Sequence, residues 1–220
     1  MKPLLLLLPL LLAFTAPTKP TRVVFFGDSI TEAGARPGGY ILKMQDMLAK
    51  QNRAADYELI GKGIGGNKVY DLYLRMDDDV LALKPDVVVI YIGVNDVWHK
   101  STYGTGTDPD KFVRFYEAMI RKIQAGGSRV ILCTPAAIGE KTDNSNAQDG
   151  DLNAYSTLIR DLAKRQNLPL VDLRQAFLEY NLKNNANNKD RGILTTDRVH
   201  LNDIGNQFVA DQMIGALMSK

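Results

Sequence analysis

A serine, a histidine and an aspartate can together move an acyl group, and this chain offers little choice of histidine. Only His99 and His200 occur in 220 residues. His200 belongs to the run Asp197-Arg198-Val199-His200-Leu201-Asn202. With Asp197 three residues ahead, a turn lets its carboxylate reach the His200 Nδ1–H. Such a bond fixes the tautomer that presents Nε2 to a nucleophile and stabilises the imidazolium that forms. Neutral imidazole titrates at about pH 6.5, close to working pH, so His200 is the candidate general base. A serine hydroxyl is a poor nucleophile until such a base takes its proton. The candidate is Ser29, in Gly27-Asp28-Ser29-Ile30-Thr31, where the apolar run Val23–Phe26 breaks off. Taken alone, Ser29 reads equally well as a helix N-cap.

Acyl transfer also needs donors aimed at the oxyanion. Two further blocks supply them, Gly63-Ile64-Gly65-Gly66-Asn67 and Gly93-Val94-Asn95-Asp96. The candidate donors are the backbone N–H groups of Ser29 and Gly66 and the side-chain amide of Asn95; losing one such donor typically costs about 10²–10³ in rate. Each block has a plainer reading. A glycine-rich turn can serve only to supply positive φ, Asn95-Asp96 can cap a helix, and His200 can be a hydrogen-bonded core histidine. It is the conjunction that points to chemistry, because together the blocks fill every role. Asp28 is expected to organise the Ser29 turn. Trp98 and His99 follow the Asn95 block and are candidate pocket walls, with His99 in a surface or supporting role. Asp77-Asp78-Asp79 reads as a solvated helix face rather than a metal site, and Cys133 as an inert buried thiol.

The elements that must position these residues alternate strand and helix. Strands are expected at Arg22–Phe26, Tyr57–Ile60, Asp86–Gly93, Arg129–Thr134 and Leu168–Leu173, and helices at Gly39–Gln51, Val69–Leu83, Pro109–Ala125, Leu152–Gln166 and Asp203–Met218. The run DVVVIYIG is apolar at nearly every position, which suits a strand buried on both faces. The pattern therefore argues for a parallel sheet with helices on both sides. Right-handed crossovers then bring all strand C-termini to one edge, where open α/β sheets bind ligands. The first three blocks follow strands directly, and the Asp197 block precedes the last helix. Ala136–Gly150 is expected to be a mobile surface loop, and Asn181–Gly192 a helix end and turn.

Composition excludes several classes. With 27 basic and 25 acidic residues the net charge is +2, so no electrostatic footprint for nucleic acid exists. One cysteine forms no intrachain disulfide and no cysteine metal cluster, and two histidines argue against a multi-histidine metal site. Residues 1–20 read as a signal peptide of uncertain cleavage site: Lys2 precedes the apolar stretch Leu4–Phe14, which is too short to span a membrane. No cysteine follows it that could carry a lipid. A secreted or periplasmic protein without stable membrane insertion is expected, with residues 21–220 forming a single domain.

In order along the chain, Gly27-Asp28-Ser29, Gly66, Gly93–Asp96 and Asp197–His200 resemble the conserved blocks of the SGNH hydrolase superfamily, the GDSL esterases and lipases. The match runs from residue 27 to residue 200. The resemblance implies a three-layer α/β/α, flavodoxin-like fold with a five-stranded parallel sheet. It further implies ester or thioester hydrolysis through an acyl-enzyme, without metal or organic cofactor. Two departures stand out: Arg198 replaces a glycine often found there, and Ile30 replaces a leucine. Arg198 can narrow or charge the pocket mouth and so bears on substrate choice. The Ser29 turn lacks the second glycine of G-x-S-x-G, which argues against the α/β-hydrolase elbow. The expected activity is a serine esterase removing small acyl groups, acetyl above all, from small-molecule or carbohydrate esters. The alternatives are a lysophospholipase or acyl thioesterase of the same fold, or a catalytically silent carbohydrate-binding protein.

Overall fold

The computed structural model describes residues 19–219; the leader-like stretch up to residue 18 lies outside them. The β-branched and aromatic runs form the sheet. Strands β1 (Thr21–Gly27), β2 (Tyr57–Gly63), β3 (Val87–Tyr91), β4 (Arg129–Cys133) and β5 (Leu170–Val171) pair in parallel in the order β2-β1-β3-β4-β5. That is the flavodoxin-like order. All five residues of β3 are buried, as a central strand covered on both faces requires, whereas β2 at the edge is half-buried throughout.

Eight helices cover the sheet among the described residues: α1 (Ser29–Gly34), α2 (Tyr40–Lys50), α3 (Val69–Asp79), α4 (Val94–Tyr103), α5 (Pro109–Ala125), α6 (Asp149–Arg165), α7 (Leu173–Asn184) and α8 (Asp203–Met218). One layer pairs α2 with α8, and Phe208 of α8 stacks edge-on against Phe177 of α7 with centroids 5.5 Å apart. The other packs α5 between α3 and α6. Chain leaving β1 goes to one layer and chain leaving β3 to the other, so a crevice opens at the C-terminal ends of these two neighbours. Ser29 and Asn95 follow those two strand ends.

Two helices have no counterpart in the sequence expectations, and of a third only the end was expected. The six residues of α1 are too few to show a period. In α4 the buried face includes Asn95 and Asp96, so polar residues occupy positions that an apolar pattern would need. The third, α7, takes over part of the expected final strand: β5 is only Leu170–Val171, and the Asp172 side chain caps α7 by accepting from the Gln175 N–H. Helix α3 ends at Asp79, four residues early, and a 3₁₀ turn at Leu81–Leu83 follows. The segment 136–150 corrects its expectation most clearly. Residues 136–140 are buried rather than on the surface, and α6 already begins at Asp149. Asp79 is likewise not merely solvated. Burial works to raise its pKa, but bonds from Arg75 and Lys62 outweigh this and hold it below the usual carboxylate range. Asn181–Gly192 is a helix end and turn, as expected.

Candidate active site

Asp28 caps α1, its side chain accepting the Ile30 N–H at 2.9 Å. Ser29 is therefore the first residue of the helix, and an amide at that position has no intrahelical acceptor. Capping belongs to Asp28, which frees the Ser29 hydroxyl. Its Oγ lies 2.9 Å from His200 Nε2. On the other side of the ring, His200 Nδ1 lies 2.7 Å from Asp197 Oδ2. The other Asp197 oxygen accepts the backbone N–H groups of Val199 and His200 at 3.1 and 2.8 Å. Burial raises the Asp197 pKa, yet the His200 and Val199 bonds outweigh it and keep the carboxyl below its ordinary range. An ionised aspartate thus faces the imidazole.

Gly66 stands in the turn Ile64–Asn67, closed by the Asn67 N–H donating to the Ile64 carbonyl at 3.3 Å. Its φ of +76° is the left-handed value that the third position of such a turn demands. The turn bond uses neither Gly65 nor Gly66 N–H. Gly63, just before it, permits a close approach: a β-carbon there would collide with the Glu32 N–H and the Asp28 carbonyl. The Gly66 turn and the Ser29 helix therefore touch through backbone. Asn95, in the first turn of α4, donates one amide hydrogen to the Asn67 carbonyl at 3.1 Å. An amide nitrogen carries two hydrogens, so one is left for a ligand.

Beneath these donors lie two buried carboxylates. Burial pushes the Asp28 carboxyl up to about 7, against the Ile30 N–H bond that lowers it, and Asp96 adds to the rise. Burial also raises Asp96, to about 6. Asp96 accepts the Val69 N–H at 3.2 Å and so anchors the start of α3. Half-buried His99 faces the Gly66 turn: its Cε1 would sit 3.9 Å from a β-carbon at Gly66. Burial, then nearby Lys68, lowers its pKa. Trp98 is partly buried against the core, tilted beside His99 with ring centroids 5.8 Å apart. Arg198 has φ +90°, which accounts for the glycine its place commonly holds. Its carbonyl accepts the Gly139 N–H at 2.9 Å and its guanidinium lies 3.9 Å from Asp190. Cys133 is fully buried, and burial raises its thiol pKa.

Sequence reasoning missed the groups that hold these blocks in place. Glu140 is buried and accepts the N–H groups of Ile193, Leu194 and Thr195 at 2.8, 2.6 and 2.8 Å. Arg75 reaches the carbonyls of Gly27 and Lys62 and the side chain of Asn67. No spacing rule exposes either one; Arg75 stands between the apolar Leu74 and Met76, and Glu140, between Gly139 and Lys141, has no such signal.

A strand-end serine paired with an imidazole and a carboxylate, beside two free amides and an asparagine, is equipped for acyl transfer. Comparison with known proteins agrees in class. Residues 25–208 match the GDSL-like Lipase/Acylhydrolase family, and the chain belongs to that family; it is a carboxylic ester hydrolase. The crystal structure of an acetyl xylan esterase, AlAXEase, superposes with a TM-score of 0.88 at 65% sequence identity, covering 90% of this chain and 100% of that one. An acetylxylan esterase of Geobacillus stearothermophilus is 30% identical over 207 residues, 86% of this chain and 90% of that protein. A Bacillus subtilis (strain 168) protein named as the uncharacterized lipoprotein YqeF is 28% identical over 175 residues, covering 71% of this chain and 72% of the relative.

Proposed function

We propose that this protein is a serine esterase that removes acetyl groups from acetylated carbohydrates of the xylan type. The observation that carries the reading is the continuous chain Ser29 Oγ, His200 Nε2, His200 Nδ1, Asp197 Oδ2, with links of 2.9 and 2.7 Å. His200 takes the Ser29 proton as Oγ attacks the acetyl carbonyl. The tetrahedral oxyanion is held by the N–H groups of Ser29 and Gly66 and by the Asn95 amide. His200 then gives its proton to the leaving sugar oxygen, leaving an acetyl ester on Ser29. Water, deprotonated by His200, attacks that ester; the bond to Ser29 Oγ breaks, His200 returns the proton to Oγ, and acetate is released.

Asp28 supports the nucleophile turn by capping α1, and His99 with Trp98 walls the acyl side. The position of His99 against Gly66 suits a small acyl group. In the Geobacillus stearothermophilus esterase Axe2, variants at a serine, an aspartate and a histidine are described as catalytic mutants. Its aspartate precedes its histidine by three positions, as Asp197 precedes His200. Residues 1–20 serve as an export leader in this reading, and the lipoprotein name of the Bacillus subtilis relative is in keeping with a place outside the cytoplasm.

The test is fluorophosphonate labelling with peptide mapping, run beside hydrolysis of acetylated xylooligosaccharides and of aryl esters of increasing chain length. The adduct should map to Ser29, disappear in Ser29→Ala, and accompany a rate that falls steeply beyond acetate. A label elsewhere, or undiminished turnover by Ser29→Ala, overturns the triad. A preference for long acyl chains or for lysophospholipid replaces the substrate class. Binding of the oligosaccharide with no hydrolysis makes the protein a binder.

A further inference from the structure

The three oxyanion donors come from three separate strand ends, each lying beyond the last residue that the pairing of the sheet fixes. We propose that Arg75 and Glu32 are positioning residues, two latches that hold the Gly66 turn against the Ser29 helix from opposite sides; the inference rests on the assignment of Ser29, Gly66 and Asn95 given above.

Arg75 projects from α3 and spends its donors on the site's framework. Its Nη2 donates to the Gly27 carbonyl at 2.8 Å, two residues before Ser29, and to the Lys62 carbonyl at 3.1 Å, at the end of β2. Its Nε donates to Asn67 Oδ1 at 2.8 Å. The backbone carbonyl of that same Asn67 receives the Asn95 amide. One guanidinium therefore joins the ends of β1 and β2 and, through Asn67, the start of α4. Its own geometry is set by Asp79, which accepts Nη1 at 2.6 Å, and by the Phe26 ring, 4.6 Å from Cζ. The planar fork is what makes this possible, since a lysine presents a single nitrogen.

Glu32 closes the other side. It lies on α1, one turn beyond Ser29, and its Oε2 accepts the Gly65 N–H at 2.9 Å. Arg36, one turn further on, pairs with the other carboxylate oxygen. The residue before Gly66 is thus tied to the nucleophile's helix, and the residue after it to Arg75. Gly66 itself, with its N–H uncommitted to the turn, is held between them. A displacement of about 1 Å in such a site can cost 10²-fold in rate. Neither residue reaches the acyl group; both act through the donors.

The experiment compares Arg75→Lys, Asn67→Ala, Glu32→Ala and Glu32→Gln with the parent enzyme. It uses 4-nitrophenyl acetate turnover and phenylboronic acid, which forms a tetrahedral adduct on the serine oxygen. Thermal unfolding of each variant is followed in parallel. Arg75→Lys, Asn67→Ala and Glu32→Ala should each lower kcat by about 10- to 100-fold while KM moves less than about 2-fold. Boronate affinity should weaken in step with kcat/KM. Glu32→Gln keeps the acceptor and should recover most of what Glu32→Ala loses. Folded variants with parental kcat, or with reduced kcat but parental boronate affinity, overturn the proposal. Should Arg75→Lys fail to fold, Asn67→Ala decides, because it removes one Arg75 contact and leaves the strand carbonyls alone. Turnover surviving in Ser29→Ala would instead bring down the underlying assignment, whatever the latch variants do.

Discussion

Glu140 accepts the backbone N–H of Thr195 at 2.8 Å, two residues before Asp197. The same carboxylate takes the N–H groups of Ile193 and Leu194, so one buried side chain gathers three successive amides on the approach to the aspartate–histidine block. Glu140→Ala leaves three donors without their acceptor, and each unpaired buried group costs about 1–3 kcal/mol. A loss of roughly 3 kcal/mol is expected after local water entry, read as a lower urea midpoint at unchanged m-value. The rate should fall as well, because the segment carrying Asp197 loses its tether. A parental midpoint would show that the segment is held by other contacts.

Asn95→Ala removes the bond to the Asn67 carbonyl and, in the triad reading, a second amide hydrogen whose partner is the oxyanion. The expected result is a drop in kcat of about 10²–10³ with a much smaller change in KM. Steady-state kinetics on an aryl acetate check it. A raised KM with unchanged kcat would make Asn95 a ground-state ligand.

Asp28 gives the protein a pH-dependent cost. Burial raises its folded-state pKa to about 7, from an ordinary carboxylate value of 3.8. Between those limits the folded protein holds the proton and the unfolded chain releases it, so stability falls as pH rises across the window. Asp28→Asn keeps an oxygen for the Ile30 N–H and carries no charge. Its melting temperature relative to the parent should therefore improve from pH 5 to pH 8. A constant difference across that range would mean that Asp28 is ionised throughout.

In the triad reading a neutral imidazole accepts the Ser29 proton. Activity is then expected to decline on acidification, and a chelator to leave the rate unchanged. Both follow from pH–rate profiles with and without EDTA. A rate flat down to about pH 4 would contradict a histidine base.

The parts of this molecule that follow simple periodicity are legible in the amino-acid sequence alone. Val87–Ile90 is apolar on every position because both of its faces are covered, and helices such as α5 show one apolar stripe. The site blocks are legible for a different reason: Ser29, Gly66, Asn95 and the Asp197–His200 pair each sit at the end of such an element, where a polar run interrupts the pattern. Long-range polar pairing is what the sequence conceals. Glu140 lies in a segment rich in Asn, Asp and Gly that looks solvent-exposed, yet it is buried because its partners, over fifty residues away, are backbone amides with no sequence signature. Helix α4 escapes notice because Asn95 and Asp96 occupy its buried face, trading the apolar signal for site geometry. The short β5 yields to α7 because Asp172 offers a cap where a strand was expected to continue.

Ser29 and His200, which meet at 2.9 Å, are 171 residues apart in sequence. At a synthesis rate of about 5–20 residues per second, Ser29 leaves the ribosome roughly 10–35 seconds before His200 does. Throughout that interval His200 is not there to pair with Ser29, and a hydroxyl without an adjacent base is a weak nucleophile. In the triad reading, reactivity is thereby tied to the arrival of the Asp197–His200 segment: a partly made copy lacks the Ser29–His200 pair.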